Sequence, residues 1–141
     1  LTLAGLFRII VNLHFKKKTH FISICPMTSD KRWKQINDLS DLQIIKQESN
    51  RRKALIFKHS NRCGISRMVL RSFESKLTEL NESNDLYFLD LLQHREISNA
   101  IEKQFMVKHE SPQLIVIENE KAVKSASHYG VVELAETLIK D

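Results

Sequence analysis

Three short and mostly apolar runs constrain the fold of this chain more than any other feature of its sequence. They are "ALIF" (54–57), "DLYFLDLL" (85–92) and "PQLIVI" (112–117). Apolar runs of this length, bounded by polar turns, are typical of β-strands that are buried on both faces. The sequence therefore predicts a central sheet that other elements cover on both sides.

Segments with helical periodicity separate these runs. "LSDLQIIKQES" precedes the first run, with Ser40 as its predicted cap, and "REISNAIEKQF" precedes the third. "GISRMVLRSFESKLTEL" is predicted to form one long helix. Its residues at helical spacing are Ile65, Met68, Val69, Ser72, Phe73, Leu77 and Leu80. The closing "VVELAETLIK" is predicted to pack through Val132, Leu134, Leu138 and Ile139.

Two weaker strands complete the pattern. "WKQI" around Trp33 is predicted to form an edge strand, and "AVKSAS" is predicted to form a strand after the turn "ENEK". Asn119 in that turn can adopt a positive φ at modest cost. The predicted order is β-α-β-α-β-α-β-β-α, in which βαβ units give parallel strands and the last hairpin adds an antiparallel edge strand.

This element order is that of the thioredoxin fold. We therefore predict an α/β domain over residues 27–141, with a mixed central sheet of four to five strands and helices on both faces. The apolar fraction, 42%, suits a domain of this size that needs no disulfide to be stable.

The first 26 residues differ from the rest of the chain. They carry four basic and no acidic residues, which leaves 18 of the 22 basic and all 17 acidic residues for the remainder. The nearly neutral remainder argues against nucleic-acid binding. We interpret residues 1–26 as an extension outside the fold, upstream of a start at Met27 or a tail, with an amphipathic membrane-surface helix as the alternative. Its apolar part is too short and interrupted to insert stably in a bilayer.

Cys63 lies between the first central strand and the following helix. The unpaired N–H groups and the positive dipole of a helix start favour a thiolate over a thiol. Arg62, Gly64 and His59 lie close to it in sequence, and we predict that they help to hold this charge, with a loop-anchoring role for His59 as the alternative. The sequence therefore favours a reactive cysteine over a structural one.

The motif around this residue is Cys63-Gly64-Ile65-Ser66, not C-x-x-C. Ser66 cannot form a disulfide with Cys63, but its hydroxyl is predicted to donate a hydrogen bond to the thiolate. A single thiol can attack a mixed disulfide and accept a small thiol, but an external thiol must then release that group. Cys25 belongs to the N-terminal extension and is a poor internal resolving thiol.

A Ser111-Pro112 pair opens the third apolar run. In this fold a cis-proline loop faces the cysteine, and cis bonds are almost confined to X-Pro. We predict that Ser111 and Pro112 face the substrate, whose backbone would pair with residue 111. A trans bond that only starts the strand is the alternative.

Other chemistries lack a motif. The histidines show no zinc-ligand spacing, so no metal site is predicted, and no Gly-rich phosphate-binding loop suggests a nucleotide cofactor. The two cysteines do not form a disulfide framework, which fits a reducing compartment, and we expect a cytoplasmic protein. We expect a monomer or weak dimer.

The residues "FKHSNRCGIS", "QHREISNAI", "VKHESPQLIVI" and "SHYGV" resemble those of the monothiol bacilliredoxins, the YtxJ-like group of the bacillithiol system. The resemblance extends from about Trp33 to Leu138. It implies a thioredoxin-like fold and removal of bacillithiol from protein mixed disulfides, with Cys63 as nucleophile and no cofactor besides the small thiol as co-substrate. Thiol-modified client proteins would be the partners.

Two residues depart from that family, which commonly reads T-C-P-I-S where this chain has Arg62 and Gly64. They leave open which small thiol is used. Cys-Gly-Ile-Ser is also similar to the C-G-F-S motif of monothiol glutaredoxins, so an iron–sulfur cluster carrier is a second hypothesis, although the glycine pair after the cis-proline strand is absent. A non-catalytic thioredoxin-fold adaptor is a third.

Overall fold

The computed structural model describes residues 30–141, so the predictions for residues 1–26 and Cys25 lie outside the described part of the chain. The elements follow the predicted order with one additional helix. They are β1 (Lys34–Gln35), α1 (Leu39–Glu48), β2 (Lys53–His59), α2 (Gly64–Glu74), α3 (Leu77–Ser83), β3 (Asn84–Asp90), α4 (Arg95–Phe105), β4 (Gln113–Glu118), β5 (Lys121–Ser127) and α5 (Gly130–Lys140).

The five strands form one mixed sheet in the order β1-β3-β2-β4-β5. β2 and β3 pair in parallel from Lys53↔Asn84 to His59↔Asp90, and β1 pairs in parallel with β3 at the edge. The mixed sheet of up to five strands is confirmed.

One strand direction was not expected. β4 runs antiparallel to β2, so antiparallel pairing begins one strand earlier than the βαβ reading implies. A buried apolar run has the same pattern in either direction, and the preceding loop decides from which end the chain enters the sheet. Here β4 begins beside the carboxyl end of β2, where Gln113 pairs with Lys58. The Ser111-Pro112 loop, which precedes β4, therefore lies at the carboxyl end of β2, the end from which the chain continues to Cys63.

Side chains of β2 alternate between two apolar layers. Leu55 and Phe57 contact the cluster that α2, α3 and α5 cover, whereas Ala54 and Ile56 contact the cluster that α1 and α4 cover. All four are fully buried. Burial of a large apolar side chain contributes about 1.5–3 kcal/mol, so these two layers stabilise the sheet that positions the site. The predicted arrangement of helices on both faces is confirmed.

The long helix predicted after β2 is two helices. α2 ends at Glu74 and α3 begins at Leu77, with the Lys76 N–H bonded to the Phe73 carbonyl at 2.9 Å between them. Leu77 and Leu80 keep their helical spacing across the break and are buried, so periodicity alone could not locate it. Ile65 and Met68 share this spacing but are 40% and 57% exposed.

Two other helix details differ from the predictions. α1 is capped by Asp38, whose side chain accepts from the Ser40 N–H at 2.8 Å, while Asp41 closes the reciprocal bond of a capping box. Asp38 lies one position before the helix, where a cap must be, and Ser40 lies inside it. α5 packs through the predicted Leu138, with the predicted Val132 and Leu134 partly buried against the same cluster, whereas Ile139 is 39% exposed. Val131 and Ala135 are the buried residues that were not predicted.

The β4–β5 connection is a two-residue turn. Asn119 adopts φ 50°, as predicted, and Glu120 adopts φ 65°. Positive φ at both central residues is the pattern of a type I′ hairpin turn. The Asn119 N–H donates to the Ser49 carbonyl at 3.0 Å, and the Glu120 N–H donates to the Ser49 Oγ at 2.8 Å, which ties the turn to the end of α1.

Over residues 30–141, the structure has no helix long and apolar enough to cross a membrane.

Candidate active site

Cys63 is the N-cap residue of α2. Its backbone is extended, with φ −102° and ψ 119°, and its carbonyl accepts the first helical bond, from the Arg67 N–H at 3.1 Å. The side chain makes no capping hydrogen bond, and the thiol is free and partly exposed. The sulfur is therefore available for reaction beside the unpaired N–H groups of the first helical turn.

A cavity of about 380 Å³ opens beside this thiol on the α4 side of the sheet. The loop after β2, the β3–α4 loop, α4 and the loop before β4 all contribute to its wall. Its lining residues are Ser60, Cys63, Leu91, Leu92, Arg95, Ser98, Asn99, Glu102, His109 and Ser111. A volume of this size suits a small ligand. The structure thus brings Cys63 and Ser111, two of the predicted site residues, to one cavity.

The Ser111–Pro112 peptide bond is cis. The Pro112 carbonyl accepts a hydrogen bond from the His128 N–H at 3.0 Å, which ties this loop to the end of β5. The Ser111 Oγ is buried and has no hydrogen-bond partner within the described part of the chain. A buried hydroxyl without a partner is uncommon and costs free energy, and the residue that carries it is part of the cavity wall.

Ser66 does not have the predicted role. It is fully buried, and its Oγ lies 2.8 Å from His59 Nδ1 and accepts the Ser60 N–H at 3.1 Å. Within residues 30–141 its hydroxyl has no hydrogen bond to Cys63. The position occupied by the second cysteine of a C-x-x-C motif here anchors the loop between β2 and α2. The predicted bond to the thiolate is therefore corrected to a bond with His59.

His59 takes the anchoring alternative. It is the last residue of β2, is 2% exposed and packs against Phe57 and Phe88. Burial lowers the pKa of His59 to about 4, and the Arg67 guanidinium acts in the same direction, against the opposing charge of Asp90. The imidazole is neutral near pH 7, so it cannot stabilise the thiolate as a cation.

The residues that flank Cys63 remain open to solvent. Arg62 is exposed, and Arg67 donates to the Asn61 carbonyl at 2.7 Å. Gly64 is the first helical residue, and a Cβ built on it would approach only the Arg67 Nη2, at an ordinary 3.9 Å. Neither space nor backbone conformation therefore requires a glycine at this position.

A buried polar group next to the cavity was missed in the sequence. Lys58 is fully buried in β2, and its Nζ lies 2.8 Å from His109 Nδ1. Ser98 Oγ lies 3.1 Å from the same nitrogen. The available signal was a lysine directly after "ALIF", the run predicted to form a strand buried on both faces, because β2 continues through Lys58 to His59.

Burial changes the protonation of this group. It lowers the pKa of Lys58 to about 8, although the charge of Glu102 opposes the change. The pKa of His109 is also lowered, first by burial and then by the neighbouring Lys58 cation. Near pH 7 the pair is thus a charged lysine and a neutral histidine. Because an ammonium group can only donate, Nδ1 of His109 accepts and its proton lies on Nε2.

The part of the chain from residue 30 onward contains no cluster of three His, Cys, Asp or Glu side chains that could hold a metal ion. The site itself brings together one thiol, a cavity and the N-terminus of α2.

Comparison with known proteins agrees with this arrangement. The family model described as "Monothiol bacilliredoxin BrxC" matches residues 34–135. A solved structure whose description assigns it a thioredoxin fold and, provisionally, an oxidoreductase function is 26% identical, with a TM-score of 0.66 over 77% of this chain and 94% of that one.

Two thioredoxins share the fold at lower identity. The Malassezia sympodialis thioredoxin is 13% identical, with a TM-score of 0.62 over 75% of this chain and 87% of that one. The Fasciola hepatica thioredoxin is 20% identical, with a TM-score of 0.60 over 76% and 97%. The predicted thioredoxin-like fold is confirmed.

Proposed function

The chain belongs to the monothiol bacilliredoxin family, and on that premise we propose that it removes bacillithiol, or a small thiol of similar chemistry, from protein mixed disulfides. Family membership and the thioredoxin-fold relative support a thiol oxidoreductase at the coarser level. The observation that carries the finer proposal is the free Cys63 thiol at the start of α2, open to a cavity large enough for a small thiol.

The reaction follows from the chemistry of one partly exposed cysteine without a second cysteine beside it in the described chain. Cys63 attacks the small-thiol sulfur of the mixed disulfide, a Cys63–small-thiol disulfide forms, and the client protein leaves as a thiolate that then takes up a proton. Cys63 is oxidised to the disulfide level as the client thiol is reduced. The N–H groups of the first turn of α2 stabilise the attacking anion.

A second thiol must complete the cycle. Ser66 holds the position of a resolving cysteine, and its hydroxyl is bonded to His59 and Ser60. An external low-molecular-weight thiol would attack the Cys63 disulfide, release Cys63 and carry the small thiol away as a symmetrical disulfide. No metal or nucleotide takes part in this scheme. The few cysteines of the chain favour a reducing compartment, such as the cytoplasm, as its location.

Client recognition is proposed for the Ser111-Pro112 loop. Ser111 lines the same cavity as Cys63, and this loop leads into β4 at the same edge of the sheet. A client segment that carries the mixed disulfide would lie along this loop with its sulfur toward Cys63. Pairing with the backbone of residue 111 is sequence-tolerant, as expected for an enzyme with many clients.

Mass spectrometry of single-cysteine variants tests the proposal. The parent protein is mixed with a model protein that carries bacillithiol on one cysteine, and with a second sample that carries glutathione. We expect the parent and the Cys25→Ser variant to acquire the mass of the small thiol, and the Cys63→Ser variant to acquire none. Transfer by Cys63→Ser, or none by the parent with either substrate, contradicts the proposal.

A further inference from the structure

The cavity beside Cys63 presents an unbalanced set of polar groups. His109, through its Nε2–H, and the side chains of Arg95 and Asn99 supply donors to its lining, and the buried Ser111 hydroxyl has no partner within the described residues. Glu102 contributes the one carboxylate of the lining. A cavity with this composition suits a ligand that brings acceptors.

The charged side chains around the cavity also favour a ligand with acceptor groups, in particular an anion. Arg95 in the wall and Lys58 behind His109 are cations, and Glu102 is their counter-charge, so the side chains around the reactive Cys63 leave one net positive charge near pH 7. In the part of the chain that the structure describes, no carboxylate lies within ion-pair distance of Lys58, whose ammonium contacts the imidazole of His109. A buried cation without an ion-pair partner is costly, and an anion in the cavity would reduce that cost.

Lys58 also determines which ring nitrogen of His109 carries the proton, and therefore whether His109 can donate a hydrogen bond in the cavity. Because the ammonium group and the Ser98 hydroxyl both approach Nδ1, the imidazole proton lies on Nε2, the other ring nitrogen. The wall residue is therefore a donor, and the lysine charge behind it strengthens that donor.

We propose that this cavity binds a carboxylate of the low-molecular-weight thiol, with His109 and Arg95 as direct donors and Lys58 as the buried counter-charge behind them. The inference rests on the proposed function, because the thiol sulfur must reach Cys63. It identifies the residues that would hold a carboxylate placed away from the sulfur of the small thiol, and it makes Lys58 a positioning residue.

Three small symmetrical disulfides test this charge preference: dithiodipropionate, which carries carboxylates, neutral hydroxyethyl disulfide, and cationic cystamine. With each, the Cys63 thiolate attacks one sulfur, a Cys63 mixed disulfide forms, and the other half leaves as a thiolate. The second-order rate of Cys63 modification is measured by mass spectrometry at pH 7. Each rate is divided by the rate at which a free small thiol attacks the same disulfide, because the three leaving thiols differ in intrinsic reactivity. For the parent we expect this relative rate to be about tenfold higher for dithiodipropionate than for hydroxyethyl disulfide and lowest for cystamine, since nearby cations attract the carboxylate and repel the ammonium group.

Two variants separate the cavity from the general charge around Cys63. Lys58→Met keeps an unbranched buried side chain without its charge, and Arg95→Gln removes the wall cation. We expect each to lose most of the roughly tenfold preference, measured as the ratio of the rate with dithiodipropionate to the rate with hydroxyethyl disulfide for that variant. Lys103→Gln, an exposed cation near the end of the same helix that lies outside the cavity lining, is the matched control and should keep the full preference.

Different results would contradict the proposed thiol-exchange function and the proposed carboxylate site. If Cys63 reacts with none of the three disulfides, the proposed thiol-exchange function itself is wrong. If it reacts with all three at similar relative rates, or if Lys58→Met and Arg95→Gln both keep the parent's preference, the carboxylate site is wrong and the thiol exchange stands.

Discussion

Two consecutive residues, Lys58 and His59, show how strand geometry divides the polar groups near the thiol. Their side chains point to opposite faces of β2. His59 lies on the α2 side and is hydrogen-bonded to Ser66, whereas Lys58 lies on the α4 side and is hydrogen-bonded to His109. One residue thus organises the loop that carries Cys63, and the other organises the wall of the cavity. Both are buried, so burial dominates their protonation.

The lowered pKa of His59 predicts loss of stability in mild acid. In the unfolded chain this imidazole gains a proton below pH ~6.5, but in the folded protein it does so only near the pKa of about 4. The unfolded state therefore binds more protons between these values, and the free energy of unfolding decreases as pH falls through that window. At about 1.4 kcal/mol for each pKa unit, His59 accounts for roughly 3 kcal/mol.

Urea unfolding from pH 7 to pH 4 measures this effect. The His59→Asn variant, which keeps a polar partner for Ser66 but does not titrate, should show a much shallower decrease than the parent. His94→Asn, a change at a partly exposed histidine in the β3–α4 loop, is the control and should keep the parent's slope. Equal slopes for the parent and His59→Asn would show that His59 is not responsible.

At the scale of elements, the start of α2 positions the Cys63 thiol and leaves it without a capping hydrogen bond. Cys63 stands in the cap position with an extended backbone, and the next residue, Gly64, is the first of the helix. The family resemblance places a proline where this chain has Gly64. Proline suits the first helical position, where its missing N–H has no helical partner, and it requires an extended residue before it.

Gly64→Pro is therefore expected to raise the free energy of unfolding by about 0.5–1 kcal/mol, because it restricts the unfolded chain without strain in the folded one. Gly130→Pro is the matched contrast, since Gly130 is also the first residue of its helix. There the preceding residue, Tyr129, is helical, with φ −67° and ψ −24°, which proline disfavours. Denaturant unfolding should show stabilisation by the first change and destabilisation by the second; the opposite signs would refute the backbone argument.

At the scale of the whole molecule, the described core lies within the predicted domain, residues 27–141. Trp33 is its first residue, where its ring stacks on Phe73 and meets Phe57 and Phe88 edge-on. Leu138 is its last. These side chains connect a short edge strand to the centre of the sheet and to α2, so the fold depends on residues close to the predicted boundary at Met27.

A chain that begins at Met27 is therefore expected to unfold with a free energy within about 0.5 kcal/mol of the full chain, as for changes away from packed features. Trp33→Ala in that shorter chain should cost about 3–5 kcal/mol, the usual range for a buried aromatic side chain. Thermal and urea unfolding of the three proteins measures both. A large loss on removal of residues 1–26 alone would show that the predicted domain boundary is wrong.

Local patterns were sufficient for much of the architecture. Apolar runs and helical spacing predicted each strand, the order of the elements and Cys63 at a helix start, because burial on one or two faces leaves a periodicity that neighbouring residues carry. They did not predict the break between α2 and α3, since the apolar spacing of Leu77 and Leu80 continues across it. They also did not separate the exposed Ile65 and Met68 from the buried residues of α2, because an apolar side chain at helical spacing can still be exposed.

What the sequence determined by itself is a thioredoxin-like order of elements, a single cysteine at the tip of a helix and a Ser-Pro pair before a buried strand. Only the tertiary structure decided that β4 enters from the carboxyl end of β2, that Ser66 bonds to His59, and that Lys58 meets His109, 51 residues away. The physical reason is that a sequence pattern is local, whereas the contacts of a folded chain join distant segments. Periodicity records whether a residue is buried, but the partner of a buried polar group depends on which distant segment packs against it, and no local pattern encodes that choice.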